Sequence, residues 1–331
     1  MPRQRFDPPR TWLAPMSGST DAAFRRQAVR FGAPAVVSEM VAGEALASAR
    51  PDVVRRTCRH EGAAPWIVQL AARRPDDMRC GAQLLREAGV DAIDINMGCP
   101  SKQVTGGQSG SALMREPELA GRIIDAAMEG AGEVPVTLKM RLGWDHDSLN
   151  APAIAQMAER AGIRMITVHG RTRCMFYKGA ADWTRIGDTV SAVTLPVIAN
   201  GDIATPRDAG DCLAASAAHG VMIGRAAMGQ PWRVGEVAAC LDERDWAAPS
   251  LTQQCESLCE QVSDSASLYG ASLGVRIVRK HVSAAIDSAP LALAPQVRRQ
   301  LRSQLCRIAG AGELIAALRK VYSRSPVEEA A

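Results

Sequence analysis

The 331-residue chain has no long apolar run, no paired-cysteine motif and only five histidines, and each shortage narrows what it can be. No stretch of about 18 residues is apolar and uncharged enough to span a bilayer, so no membrane is expected. Residues 1–10 carry Arg3, Arg5, Asp7 and Arg10 with no apolar segment behind them, so no secretory signal is expected. The nine cysteines are odd in number, scattered and without a CxxC pair, which argues against a disulfide framework, a zinc site and an iron–sulfur site. A reducing cytoplasm is the simple expectation. His60, His146, His169, His219 and His281 show neither HxH nor HxxxH spacing, so no metal is expected. No GxGxxG follows the first strand-like run, which weighs against an open, doubly wound dinucleotide-binding sheet.

What is present can fill a large core: 47% of residues are hydrophobic and 22% charged, a balance that does not favour disorder. Charge is uneven. Residues 274–324 hold ten Arg and Lys against two acids, Asp287 and Glu313, in a chain whose total is only +4. The asymmetry points to a C-terminal part that binds a polyanion, although a solvated helix surface has the same composition.

Through the first 240 residues, short apolar runs rich in Val and Ile alternate with helix-like segments. The runs are 12–16, 35–38, 66–70, 92–96, 136–140, 165–168, 196–199 and 220–223, as expected of strands buried on both faces of a parallel sheet. Segments 75–88, 117–128, 151–161 and 206–218 read as helices with proline near the start or glycine past the end. Eight such units predict an α/β fold, a (β/α)₈ TIM barrel over residues 1–244. A composition break at 242–249 precedes a second part, 245–331, with no strand-like run. Segments 251–268, 275–286, 295–309 and 313–322 predict an all-helical bundle there. A monomer is expected.

Barrel chemistry sits on the loops after the strands. Cys99 lies there, in Asn96-Met97-Gly98-Cys99-Pro100. The other eight cysteines read as structural, but this position favours function. A nucleophile needs a thiolate, whereas a free thiol, with an ordinary pKa of about 8.5, is mostly protonated near neutrality and can donate. The segment 101–108 that follows contains Gly106-Gly107, a flexible pair beside a group that must be positioned. Lys139 and Arg141 alternate at the end of their run, so both face the barrel mouth, where a lysine calls for an anion: a ligand, or a core acid such as Asp94. His169 heads the next loop. Asn200-Gly201-Asp202 and Gly224-Arg225 end the last two runs, and their glycines allow backbone N–H groups to approach an oxyanion. With Lys139 and His169 they form a phosphate site, implying a phosphorylated cofactor or substrate.

The motifs taken together resemble those of the tRNA-dihydrouridine synthases, in the form of the bacterial B branch. They are Ala14-Pro15-Met16 with Thr20-Asp21, Ser38-Glu39-Met40, Gln69, Asp94 through Pro100, Gly110-Ser111-Ala112-Leu113, Lys139-Met140-Arg141 with Gly143-Trp144, His169-Gly170-Arg171-Thr172-Arg173, Asn200-Gly201-Asp202, Met222-Ile223-Gly224-Arg225 and Arg279-Lys280-His281. The resemblance implies FMN at the barrel mouth, with Pro15, Met16, Ser17 and Gln69 along its ring system, Lys139 and His169 in contact, and Asn200, Gly201, Asp202, Gly224 and Arg225 around its phosphate. Asn96 and Arg141 would meet the uracil, and Arg279 and Lys280 the tRNA. The implied reaction converts a tRNA uridine, in the D-loop and at position 17 for the B branch, to 5,6-dihydrouridine. NADPH reduces FMN, a hydride passes to C6, and Cys99 protonates C5. The base must leave its stack, and the basic helices would hold the RNA backbone. Two rivals remain open here. A flavin barrel acting on a small molecule has no need of basic helices, and an RNA-binding protein without turnover has no need of Cys99 and Lys139.

Overall fold

The computed structural model describes residues 7–48, 50–101 and 109–323. Lys102 through Gln108, including Gly106-Gly107, lie outside the described residues, as do Arg3, Arg5 and Arg324.

Eight parallel strands close into a ring: β1 (Thr11–Leu13), β2 (Val36–Val37), β4 (Trp66–Ala71), β5 (Ala92–Met97), β6 (Val136–Arg141), β7 (Met165–His169), β8 (Val197–Asn200) and β9 (Gly220–Ile223). Closure is made by β1, which pairs with β2 (Leu13 opposite Val36) and with β9 (Thr11 opposite Val221), while β2 pairs on to β4. A closed ring leaves none of the eight as an edge. Every expected run supplies one strand. The addition is β3 (Val41–Ala42), two residues that pair with Leu70 and Ala71 where β4 overruns its neighbour β2. A pair of residues is too short to show any periodicity in sequence.

Alternation along the strands divides the side chains. One set points outward beneath the helices, including Leu13, Val68, Ile93, Ile95, Leu138, Ile166 and Val221, and forms the main core. The other set points into the barrel. Its floor is apolar, from Trp12, Val37, Ile67, Ala92, Met165, Ile198 and Met222. Two residues further along the same strands the interior turns polar, at Gln69, Asp94, Thr167 and Asn200, all buried. The barrel is therefore plugged below and chemically furnished at its C-terminal end.

The surrounding helices are α1 (Ala22–Arg30), the short α2 (Gly43–Ala47) and α3 (Pro51–Thr57), then α4 (Pro75–Glu87), α5 (Pro117–Ala131), α6 (Ala151–Ala161), α7 (Trp183–Ala192), α8 (Pro206–Ser216) and α9 (Arg233–Leu241). Helix α5 runs past its expected end near Gly130. That glycine is a contact residue: a Cβ there would stand 2.2 Å from the Arg79 carbonyl oxygen of α4, and Gly132, at φ +59°, closes the helix instead. Helix α1 is hidden in sequence because Arg25 and Gln27 interrupt its apolar stripe yet are buried. Arg25 donates from its two terminal nitrogens to the carbonyls of Thr20 and Cys58, which offsets most of the cost of burying the guanidinium.

Four further helices follow: α10 (Leu251–Tyr269), α11 (Ala271–Ser288), α12 (Pro295–Leu305) and α13 (Ala311–Tyr322). They pack around a core of their own that includes Leu258, Val262, Val278, Val282, Leu314 and Leu318. This bundle rests on the barrel through α1. Ser257 Oγ donates to Gln27 Oε1 (2.9 Å), Arg30 pairs with Glu260 (2.8 Å), and the His281 ring lies 4.3 Å from that of Phe24. Gly229, beyond β9, permits the closest approach, since a Cβ there would be 2.3 Å from the backbone nitrogen of Ala285. No helix among the described residues is long and apolar enough to cross a membrane.

Candidate active site

The C-terminal ends of the strands open into a cavity of about 1370 Å³, roofed on one side by Tyr269, Leu273 and Ile277 of the bundle. Fourteen of the sixteen residues singled out from sequence line it. The exceptions are Arg279 and Lys280. Arg279 donates to the Ile308 carbonyl inside the bundle (3.2 Å). The Lys280 ammonium borders the loop after β1, 2.8 Å from where a Cβ on Gly18 would stand.

On the β4–β5 side, adjacent strands place Gln69 opposite Asp94, and a ladder of amides builds up from there. Asp94 accepts from Thr137 Oγ1 (2.6 Å) and Gln69 Nε2 (2.7 Å). Gln69 Oε1 accepts from Asn96 Nδ2 (2.7 Å), and Asn96 Oδ1 accepts from the backbone N–H groups of Gly98 (3.2 Å) and Cys99 (3.0 Å). Because Asp94 can only accept when ionised, it fixes the orientation of both amides above it. Burial pushes its carboxyl up, opposed by the bonds from Thr137 and Gln69 and by the charge of Lys139. On the other side of the loop, Ser111 donates from Oγ to the Cys99 carbonyl (2.8 Å). Cys99 is thus held by its backbone from both sides, half-buried at the cavity wall.

Arg141 ties this loop to the next. Its Nε donates to the Gly98 carbonyl (2.8 Å), and its Nη1 to the carbonyls of Thr172 (2.8 Å) and Phe176 (2.9 Å). Burial draws its pKa down to about 10, so it remains a cation at neutrality.

The β6–β9 side is different in kind. Lys139 Nζ donates to Asn200 Oδ1 (3.0 Å), a neutral partner, while Asn200 Nδ2 donates to the Met222 carbonyl (2.7 Å). Burial, aided by the Arg141 charge, pulls Lys139 down to about 8. His169 is driven well below its ordinary value, first by burial and then by Lys139, Arg141, Arg171 and Arg225 around it. It is therefore neutral near pH 7, and its Nδ1 is buried without a partner. Gly201 (φ +120°) could not be replaced without strain, since a Cβ would lie 2.8 Å from Ala181 Cβ. It turns the chain so that Asp202, itself at φ +56°, pairs with Arg171 and Arg225 (3.3 Å) and accepts from Ala181 N–H (2.8 Å). Burial opposes ionisation of Asp202, but the Arg171 and Ala181 bonds and the two charges outweigh it and hold the carboxyl below its ordinary range. Cations exceed carboxylates on this side, so the arrangement favours an anionic ligand.

Several residues in or directly behind the cavity wall were not singled out as site residues. Glu39 reaches under the loop after β1 and accepts from Gly18 N–H. Arg171 is almost wholly buried and braces Asp202. Tyr177, 54% exposed, stands at the lip. Arg171 alternates with His169 and could have been found by that spacing. Tyr177 follows Phe176 well beyond the end of β7, outside any strand-end spacing, and carries no such signal.

The family model described as dihydrouridine synthase (Dus) matches residues 12–324. A probable tRNA-dihydrouridine synthase of Rhodobacter capsulatus is 46% identical over 321 residues, covering 96% of each chain. The tRNA-dihydrouridine synthase B of Pseudomonas putida is 44% identical over 273 residues, 82% of this chain and 80% of that one. Among solved structures, a 2-naphthoyl-CoA reductase in complex with 2-naphthoyl-CoA superposes with a TM-score of 0.52 at 12% identity, over 71% of this chain and 50% of that one. That likeness is one of fold.

Proposed function

The chain belongs to the dihydrouridine synthase family, and from that premise we propose that it reduces uridines of tRNA to 5,6-dihydrouridine, with FMN as cofactor and NADPH as reductant. The observation that carries the reading is the pairing within one cavity of a rigidly held cysteine with a cation-rich wall. The D-loop is the proposed target.

The residues present fit FMN. A buried, unpartnered His169 Nδ1 awaits a polar partner, and a lysine with only a neutral partner awaits an anion. Gly201 and Gly224 bring bare backbone to the end of the cavity where Arg225 supplies charge, as a phosphate group requires. Pro15, Met16 and Ser17 offer a wall for a flat ring system, faced by Gln69. When bound, FMN supplies the hydride that adds at C6 of the uracil.

The protein's own part is position and protons. Cys99 Sγ donates the proton to C5. Asn96 holds the Cys99 backbone in place, and Asp94 and Gln69 hold Asn96. Lys139 and His169 grip polar atoms of the bound groups. Arg141 borders the uracil position while keeping the Cys99 loop closed against the loop after β7. Asp202 keeps Arg225 and Arg171 in place beside the phosphate. The helical part, residues 245–331, holds the RNA backbone through its basic residues, Arg279 and Lys280 among them. One chain furnishes the whole cavity, so a monomer suffices. Nine free thiols suit a reducing cytoplasm.

The test is to supply the purified protein with NADPH and unmodified bulk tRNA, or with free uridine, and to quantify dihydrouridine by mass spectrometry. Formation on tRNA and not on free uridine is expected. Reduction of the flavin without dihydrouridine on any tRNA would overturn the reading and favour a small-molecule flavin reductase.

A further inference from the structure

Two residues of the sequence motifs, Trp144 and Arg173, have no part in the chemistry above, yet they meet at the barrel rim. The Arg115 guanidinium lies 3.9 Å from the Trp144 ring centroid, and that of Arg173 lies 4.5 Å from the same centroid. Arg173 also stands 4.7 Å from the Phe176 ring. The next residue, Tyr177, has Arg225 at 5.1 Å and Arg141 at 5.5 Å. Arginine and aromatic side chains thus alternate along a belt from the exposed end of the 3₁₀ turn Gly110–Arg115, across the loops after β6 and β7, to the lip of the cavity.

The belt is built rather than incidental. Gly143 leaves no room for a side chain, since a Cβ would be 2.0 Å from the Ser148 carbonyl oxygen, and this tight turn presents Trp144. Backbone bonds from Arg173 N to Gly143 O (3.0 Å) and from Cys174 N to Trp144 O (2.9 Å) lock the two loops together. Among the described residues Arg115 makes no ion pair, so a polyanion would complete the arrangement. An arginine laid on an aromatic face keeps its N–H edge for phosphate, and basic side chains interleaved with aromatics are how single-stranded nucleic acid is tracked.

Topology says where such a strand would run. In the closed ring β6 stands opposite β1. The bundle sits on the β1 side, against α1 and the loop after β1, with His281 bonded to the Ser19 carbonyl (3.0 Å). The belt sits on the β6 side, so the two basic surfaces face each other across the cavity mouth. We propose that the belt of Arg115, Trp144, Arg173 and Phe176 is a second RNA-binding surface, holding the sugar–phosphate backbone on the far side of the target base from the bundle. The tRNA is then gripped on both sides of the cavity, which holds its strand open at the base to be reduced. This rests on the tRNA reading above.

The experiment measures binding of unmodified bulk tRNA by fluorescence anisotropy over a salt series, with steady-state kinetics and thermal unfolding alongside. Exposed Arg115 is the residue to change. Arg115→Gln should raise the Kd roughly tenfold at low salt, as for one lost charged contact. It should reduce the steepness of the log–log salt dependence by about 0.7–0.9. KM for tRNA should rise with kcat, FMN binding and the unfolding midpoint unchanged. Arg115→Glu should weaken binding further, and Trp144→Leu should reproduce the loss by removing the ring on which Arg115 is laid. Wild-type Kd and salt slope in both Arg115 variants, with wild-type protein still forming dihydrouridine, would overturn the belt alone. A wild-type protein that binds no tRNA would overturn the belt and the tRNA reading together.

Discussion

On the β4–β5 side of the barrel mouth the polar groups are paired with one another: Thr137 and Gln69 donate to Asp94, Asn96 to Gln69, and the Cys99 backbone to Asn96. On the β6–β9 side they are left wanting, with Lys139 on a neutral amide, the His169 Nδ1 buried without a partner, and more cations than carboxylates. The first side is complete without a ligand and can position a reactive group before anything binds. The second is expensive to fold and is relieved only by what it binds. Rigidity and affinity are thus assigned to opposite arcs of one ring that meet at β6, which gives Thr137 to the first and Lys139 to the second, and substitutions on the two sides should fail in different ways.

The largest effect is expected from Asp94→Leu. It strands Gln69 Nε2 and the Thr137 hydroxyl in a buried site, at a cost of about 2–6 kcal/mol for two unsatisfied groups. Urea unfolding should show that loss with or without FMN. On the other side, Lys139→Met should leave the apoprotein as stable or more so, because a half-buried ammonium whose hydrogen bond goes to a neutral amide is removed. The same variant should bind FMN about 10–100-fold more weakly, for one lost charged contact. Calorimetry on apoprotein and flavin titration separate the two, and a Lys139→Met apoprotein that unfolds as easily as Asp94→Leu would erase the contrast.

pH sharpens the comparison. Lys139 titrates near 8 in the folded apoprotein, below its unfolded value of about 10.4. Between these values the unfolded chain binds the extra proton, so apoprotein stability should rise with pH across that window. FMN affinity should move the other way: the ammonium is the form that meets an anion, so affinity is level below pH 8 and falls by up to tenfold per unit above it. The phosphate monoester is already ionised by then, with its second pKa at about 6, and His169 is already neutral. Thermal midpoints and flavin titrations from pH 7 to 9.5 test both slopes, and parallel slopes would remove Lys139 from the anion site. The smallest effect is expected at Lys280, outside the cavity. Lys280→Gln should only lower the salt slope of tRNA binding by about 0.7–0.9.

Sequence made the barrel legible because each strand is a compact apolar run of the kind a two-sided burial demands. It also named most of the cavity wall, since the loop after each strand can be read off once the runs are placed. The amide ladder could not be read that way. It depends on Gln69 lying opposite Asp94, a register between segments 25 residues apart that only pairing reveals. The bracing roles of Arg141 and Asp202 were hidden for the same reason, because their partners are backbone groups and side chains of other loops. Helix α1 escaped notice because a buried arginine looks like a surface residue, and the end of α5 was misplaced because Gly130 meets a neighbouring helix instead of terminating its own. Tyr177 and Arg115 acquire meaning only when loops from different strands are seen to converge.

The most direct test of the account is single-turnover formation of dihydrouridine on unmodified tRNA by wild-type protein and Cys99→Ala, each reduced by NADPH and matched for bound flavin. The account predicts equal flavin content, equal tRNA affinity and a rate at least about 10²-fold lower in the variant, the loss expected for a missing general acid. Dihydrouridine formed by Cys99→Ala at the wild-type rate would contradict it, and the proton would have to come from another group in the cavity or from water.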